Sequence, residues 1–469
     1  FHVHFCVSGN SKNSTMSGDG KGDVTKEELE DLMKRVAKRD PNQPEFLQAV
    51  HEVSTTLEPL LLKNREYFEA FERMIEPERA VQFRVAWQDD KGKTHVNRGF
   101  RVQFNQAIGP YKGGLRFHPS VNLSIVKFLG FEQILKNSLT GLPLGGGKGG
   151  SDFNPRGRSD SEVMRFCQAF MTELQRHIGA SRDVPAGDIG VGGREIGYLF
   201  GQFKRLQSSF EGVLTGKHPN WGGSLMRPEA TGYGVVYFAR EMLKDAGDTL
   251  EGKTVCVSGS GNVAQYTVEK LLELGAKVLT MSDSSGFVYE KDGFTKEQLQ
   301  QILDIKQKRR GRLSEYAEGS ATAEYTEGSR PWGIKCDIAI PCATQNEVEL
   351  EDAELLIQNG TKIFVEAANM PTTAEATHKL EEAGVVIGPA KAANAGGVAV
   401  SGLEMAQNSA RLAWSAEEVD ERLQKIMVGI FKSCKDGAER VGSAGSLRAG
   451  ANVAGFIKVA DSMIAQGVL

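Results

Sequence analysis

The segment that most restricts the fold is "KTVCVSGSGNVAQYTVEKLLELGAKVLTMSDSSG", residues 253–286. Val255 and Val257 alternate in a short β-branched run, while Val268, Leu271 and Leu272 recur at helical spacing. Val278, Leu279 and Met281 form a second apolar run that ends at Asp283. The order is strand, glycine turn, helix, strand. At the turn, Gly259-Ser260-Gly261-Asn262-Val263-Ala264 fits G-x-G-x-x-[GA]. The first glycine allows the tight turn, and the second lets the backbone approach a pyrophosphate. The helix opening there presents unpaired N–H groups and its positive dipole end to that anion. A dinucleotide is the ligand such a unit takes. An acidic residue about 20 positions on normally binds the ribose 2′-hydroxyl, so Asp283 taken alone favours NAD.

Further apolar runs, "CDIAIPCAT", "TKIFVEAAN" and "GVVIGPA", each end in small or polar residues. That pattern suits parallel strands whose carboxyl ends line a crevice. The character changes to this type from about Thr231, and the tail from about residue 416 is helical. Upstream the order is different. Thr25 and Glu28 form a capping box ahead of Leu29, Leu32, Met33 and Val36, and more helix is expected from about Pro44 to Arg73. "VQFRVAW" and "VNRGFRVQF" alternate with period two around Asp89-Asp90-Lys91-Gly92, which predicts a hairpin. Helices are expected at about 121–139 and 159–178, so this half is an α/β domain with mixed strands.

At 469 residues the chain is too long for one ordinary core, and two domains are expected. A net charge of −4 makes no case for nucleic acid or an anionic membrane, and no apolar run approaches the ~18 residues of a membrane helix. The six cysteines are scattered without a C-x-x-C pair, which argues against a zinc site or a disulfide framework and suits a reducing, cytoplasmic compartment. Residues 1–23 are small, polar and patternless, and are expected to be a disordered extension, with Met16 a candidate initiator.

Lysines carry the remaining signal. In "GLPLGGGKGGSDFNP", Lys148 sits among glycines. A phosphate loop needs G-x-x-x-x-G-K-[ST], but Leu142 stands at the first glycine and Gly149 at the hydroxyl. That leaves either a glycine-rich turn with a solvated lysine or a lysine with another task. Lys112 lies in "GPYKGGLRFHP", and Lys136 shares a helix face with Gln133 and Leu129.

Together, "YKGGLRFHPSVN", "LPLGGGKGG", "DVPAGDIGVGGREIGY", "RPEATGYG", "GSGNVA", "PCATQNE", "EAANMPTT" and "NAGGVAVSGLEMAQNS" resemble glutamate dehydrogenase of the small hexameric type, from about residue 30 onward. The resemblance implies an N-terminal α/β substrate domain with a mixed sheet over 24–220, rejoined by a C-terminal helix at about 445–469. It also implies a Rossmann-type domain over 221–444, an active site in the cleft between the two, and a homohexamer. Lys148 is then the catalytic lysine and Asp188 the general acid/base. Gln133 and Lys136 hold the α-carboxylate, Lys112 and Ser401 the side-chain carboxylate, and Asn394 lies near the substrate. Thr231 and Asn369 orient the nicotinamide carboxamide, and Gln345 touches the cofactor beside Asn346. Oxidative deamination of L-glutamate gives 2-oxoglutarate and ammonium, with no metal implied. The glycines around Lys148 are expected to let substrate and cofactor lie against the backbone. A lowered Lys148 pKa is expected from crowding among cations and desolvation.

Cofactor choice pulls two ways. Asp283 alone favours NAD, yet Ser282-Asp283-Ser284-Ser285-Gly286 resembles the NADP-dependent members, with Lys306 of "LDIKQKRRGR" matching their phosphate-side lysine. NADP is the expected cofactor and NAD the alternative. No long helical insertion precedes the C-terminal helices, where animal members carry an antenna. The competing readings are a dehydrogenase of apolar amino acids, whose members have an apolar residue in place of Lys112, and an idle binding protein that keeps the crevice.

Overall fold

The computed structural model describes residues 23–468, and the expectations for the N-terminal extension and for Met16 lie outside the described residues. Two sheets organise the chain. The first holds β1 (Arg79–Gln88), β2 (Thr94–Asn105), β3 (Tyr111–Phe117), β4 (Gly146–Ser151) and β5 (Asp183–Gly187), in the order β1-β2-β4-β3-β5. The expected hairpin is β1–β2, closed by Asp89, whose carboxylate accepts from the N–H groups of Lys91 and Lys93 at 2.9 Å each. The other pairings are β2–β4 antiparallel and β3–β4 and β3–β5 parallel, so the sheet is mixed.

The second sheet is β12-β11-β10-β6-β7-β8-β9, from β6 (Thr254–Val257), β7 (Lys277–Asp283), β8 (Gly286–Glu290), β9 (Ala323–Glu327), β10 (Ile338–Ile340), β11 (Ile363–Val365) and β12 (Val386–Gly388). It is parallel from β12 through β7, and β8 and β9 add an antiparallel edge that the sequence reading did not anticipate. Strand order reverses beside β6, with β7 on one side and β10 on the other. That switch point is where the carboxyl ends open a ligand crevice.

Two local expectations are corrected. The helix expected from Pro44 to Arg73 is two helices, Pro44–Leu61 and Arg65–Met74, because Asn64 caps the second through the N–H groups of Glu66 and Tyr67. The glycine-rich stretch around Lys148 is not a turn. It is the buried strand β4, and its glycines admit neighbouring elements. A Cβ on Gly146 would lie 2.5 Å from Ile134 Cγ1, and one on Gly149 would lie 2.7 Å from the Phe100 carbonyl oxygen.

The C-terminal helix Leu447–Gln466 returns to the first sheet's side, where Val453, Phe456, Val459 and Ala460 join the core formed by Phe46, Phe71 and Phe131. Cys167, Cys256, Cys336, Cys342 and Cys434 are buried and free. Among the described residues, no helix is long and apolar enough to cross a membrane, and no cluster of side chains could hold a metal ion.

Candidate active site

Lys148 leaves β4 on the face covered by the helix Leu123–Leu139, where Gly130 has no side chain to obstruct it. Asp188 follows β5, on the far side of β3. Two glycines of β3 let these two groups meet: a Cβ on Gly113 would lie 1.7 Å from the Gly147 carbonyl oxygen, and one on Gly114 would lie 2.9 Å from Asp188 Cβ. Lys148 Nζ donates directly to Asp188 Oδ2, and their side chains are only 7% and 9% exposed. Arg116 Nε donates to the other carboxylate oxygen at 3.3 Å. Burial pushes the Lys148 ammonium below its ordinary value, and the Asp188 charge opposes the shift. Burial also raises Asp188, but Lys148 and Arg116 outweigh it and hold the carboxyl below the usual carboxylate range. The pair is a buried proton donor and acceptor joined by one hydrogen bond.

Lys136, on the same helix as Gln133, is pushed down to about 7 by burial and by the nearby Lys148 charge. Its Nζ donates to Asn394 Oδ1 at 2.5 Å, and Asn394 Nδ2 donates to Asn369 Oδ1 at 3.0 Å. Three predicted residues thus form one chain across the cleft. Gln133 turns its amide to Asn137 Oδ1 at 2.7 Å. Lys112 is fully buried and donates to the Val184 carbonyl at 2.9 Å and to Thr215 Oγ1 at 2.8 Å. Burial drives its pKa well below the ordinary lysine value.

Ser401 is not a direct partner of Lys112. It accepts from Arg227 Nε at 3.0 Å and donates to the Gly397 carbonyl at 3.0 Å. Among the described residues, the Arg227 guanidinium makes no other hydrogen bond, so its remaining donors are free at this end of the cleft. The sequence reading missed Arg227, although it opens the quoted "RPEATGYG". It also missed Thr215 and Arg116. Thr231 packs its hydroxyl against the helix Gly396–Ala410, where a Cβ on Gly397 would come within 2.4 Å of it.

The crevice at β6 has the features of a dinucleotide site. Gly259 has φ +81 and donates to Ser282 Oγ at 2.8 Å, while a Cβ there would press on Cys342 and Ala343 at 3.1–3.2 Å. The helix Asn262–Glu273 begins behind Gly261, which offers no capping side chain and faces open space. Ser260 is buried, and Asn262 turns its amide to the Pro228 carbonyl at 2.7 Å; the intrahelical bonding starts at the Gln265 N–H, which meets the Gly261 carbonyl at 3.0 Å, so the N–H groups of Val263 and Ala264 lie ahead of it, where an anion can bind. Gln345 is exposed beside Asn346, a left-handed residue at φ +54 that ties to the Met370 carbonyl at 3.0 Å.

At the end of β7, Asp283 is occupied. Its carboxylate accepts from the N–H groups of Ser285 (2.9 Å) and Leu313 (3.0 Å) and from Lys306 Nζ (3.3 Å). Burial raises its pKa, but these donors prevail and hold the group ionised and turned inward. The generic role of Asp283 toward a 2′-hydroxyl is therefore not the geometry found. Lys306 also donates to the Gly311 carbonyl at 3.0 Å, and Arg312, unforeseen, donates to Ser284 Oγ at 2.6 Å. Ser284, Arg312 and Lys306 make a cationic rim that suits a phosphate.

A buried lysine–aspartate pair in a cleft between a mixed sheet and a dinucleotide crevice defines an amino-acid dehydrogenase class. The chain belongs to the Glutamate/Leucine/Phenylalanine/Valine dehydrogenase family, whose model matches residues 222–467, with the Glu/Leu/Phe/Val dehydrogenase dimerisation domain matching 77–205. Within that family it is 61% identical to the NADP-specific glutamate dehydrogenase of Giardia intestinalis, over 94% of this chain and 98% of the relative. It is 62% identical to the NADP-specific enzyme of Haemophilus influenzae, with the same coverage. A solved structure of Plasmodium falciparum glutamate dehydrogenase 2 superposes with a TM-score of 0.92 at 59% identity, covering 98% of this chain and 99% of the other.

Proposed function

We propose that the chain catalyses the reversible oxidative deamination of L-glutamate to 2-oxoglutarate and ammonium with NADP. The observation that carries the mechanism is the buried Lys148–Asp188 contact. When bound, the dinucleotide accepts the hydride of the α-carbon. Gln133 and Lys136 hold the α-carboxylate, with Asn394 exchanging its bond to Lys136 for one nearer the substrate. Lys112, Arg227 and Ser401 hold the side-chain carboxylate. Two anchored carboxylates leave the α-carbon one orientation in the cleft. Asp188 accepts a proton from the α-amino group and returns it to the leaving ammonia. Lys148, neutral for part of the cycle because of its lowered pKa, activates the water that adds to the substrate iminium carbon. Its ammonium form then stabilises the oxyanion that develops.

The residues at the dinucleotide site fit this cofactor: Gly259, Ser260, Gly261, Asn262 and Val263 would hold the pyrophosphate, and Ser284, Lys306 and Arg312 the 2′-phosphate. Thr231 and Asn369 would orient the carboxamide, with Gln345 at the crevice mouth. Asp283 acts through Lys306 and the turn rather than on the ribose. The same reading sets domain limits of 24–220, 221–444 and a returning 445–469, supported by the separation of the two sheets along the chain. A homohexamer in the cytoplasm is part of the same reading. What supports self-association is the edge strand β1, which has no partner strand on its outer side among the described residues and falls within the dimerisation-domain match.

The direct test is glutamate-dependent reduction of NADP by the wild type and by Lys148→Ala. We expect the variant to lose at least ~10³ in kcat while its dinucleotide affinity stays near wild type. Retention of a tenth of kcat would remove Lys148 from the chemistry.

A further inference from the structure

The helix Gly396–Ala410 brings more than Ser401 to the cleft. One turn on, Glu404 lies on the same face, fully buried, and reaches the segment that follows the helix Gly193–Gln207. Its carboxylate accepts from the Gly216 N–H at 2.9 Å, the Lys217 N–H at 3.3 Å and Lys217 Nζ at 2.9 Å. The Lys217 side chain is 1% exposed and also donates to the Leu214 carbonyl, while Leu214 itself holds a left-handed φ of 61. Between these fixed points sits Thr215, with its N–H on the Pro185 carbonyl at 2.9 Å and its hydroxyl accepting from Lys112. The chain of contacts runs from Glu404 through the 214–217 turn to the Lys112 ammonium.

We propose that Glu404, held by Lys217, is the positioning residue that gives the Lys112 pocket its selectivity for a side chain ending in a carboxylate. The proposal rests on the reading that Lys112 and Arg227 hold that carboxylate. Two effects act together. Placement is the first: without the bonds to residues 216 and 217, the strained turn relaxes and Thr215 no longer aims Lys112. Charge is the second. The strongest charges acting on Lys112 are the anion Glu404 and the cations Arg101, Arg227 and Lys217, with Arg101 itself paired to Asp183. Burial and the three cations drive the proton off Lys112, and Glu404 opposes them. A substrate carboxylate binds the protonated form, which is lost as pH rises.

The two partners therefore make opposite predictions. Glu404→Gln keeps the shape and one acceptor oxygen, enough for one of the two backbone N–H groups, but removes the anion. Lys112 then loses its proton at lower pH, and the rise of glutamate KM with pH starts earlier. Lys217→Met removes a cation and leaves Glu404 on its backbone donors, so the same rise starts at higher pH. A purely structural role would shift both variants in one direction.

The experiment measures steady-state kinetics of wild type, Glu404→Gln, Lys217→Met and Lys112→Met with glutamate and norvaline across the neutral to alkaline range. We expect Glu404→Gln to lower kcat/KM for glutamate relative to norvaline by roughly tenfold, mostly through KM, with the opposite pH displacements described. If Lys112→Met changes the substrate ratio but neither partner variant moves the pH profile, the proposal is overturned. An unchanged ratio in Lys112→Met instead refutes the underlying assignment of the pocket. Should Glu404→Gln fail to fold, the upward displacement in Lys217→Met decides the matter, and its absence overturns the proposal.

Discussion

Asp188→Asn isolates the proton acceptor with little change in volume. In the wild type the carboxylate receives Lys148 Nζ, Arg116 Nε at 3.3 Å and the Ile189 N–H at 2.5 Å. The amide oxygen can keep one or two of these bonds but cannot take up a proton. Loss of a positioned acid/base costs about 10²–10⁴ in rate, or about 3–5 kcal/mol of activation free energy, and we expect kcat to fall by about 10³. A second effect follows from charge. In the wild type, burial lowers the Lys148 pKa and Asp188 opposes it. Without that anion the lysine is neutral to still lower pH, so the acid limb of kcat/KM that reports Lys148 moves down in pH. Dinucleotide affinity, read by NADPH fluorescence, should change less than about twofold, because Gly259 and Gly261 belong to the other sheet. Steady-state reduction of NADP over a pH series measures the first two quantities. A variant that keeps a tenth of kcat, or whose acid limb moves to higher pH, would refute the assignment of roles within the pair.

Arg312→Ala should raise the KM for NADPH by roughly tenfold and change that for NADH far less, since Arg312 and Ser284 form the rim where only the phosphorylated ribose has a charge. Lys306→Ala should also weaken NADPH without raising the KM for NADH, because it releases Asp283 to repel a phosphate and to accept a 2′-hydroxyl. Equal effects on both cofactors would move these residues off the 2′ position. Gly113→Ala forces apart β3 and β4, where its Cβ would fall 1.7 Å from the Gly147 carbonyl oxygen, and should cost about 3 kcal/mol of stability. An unchanged urea midpoint would show that the strands can separate without loss.

What the sequence made legible is local. The βαβ unit at 253–286, the hairpin around Asp89 and the Thr25–Glu28 capping box depend on residues a few positions apart, and each forms as expected, with Thr25 and Glu28 exchanging hydrogen bonds. Of the two readings left open around Lys148, the glycine-rich turn is the one that fails, for a physical reason. Glycine density signals a turn when only neighbours in sequence are considered, but β4 needs glycines because Phe100, Ile134 and the backbone of β3 crowd it from three sides. Those contacts come from elsewhere in the chain, and no local pattern encodes them.

The same distinction separates the site residues that were foreseen from those that were missed. Lys148 and Asp188 were nameable because each sits in a long motif, yet their contact depends on Gly113 and Gly114, which lie in a third segment. Arg227 and Arg312 belong to stretches already quoted, but their function depends on what they face. Arg227 finds Ser401 174 residues away, and Arg312 finds Ser284 across 28 residues and a left-handed turn at Arg310. Asp283 shows the limit most clearly. Its position at the end of β7 is the one the generic rule reads as a ribose ligand, and counting along the chain cannot reveal that Leu313, Ser285 and Lys306 already donate to it. With three protein donors on it, the carboxylate keeps little acceptor capacity for a 2′-hydroxyl, and its charge is partly offset by Lys306. The reading of this site thus turns on whether Asp283 is occupied, not on whether an acidic residue is present.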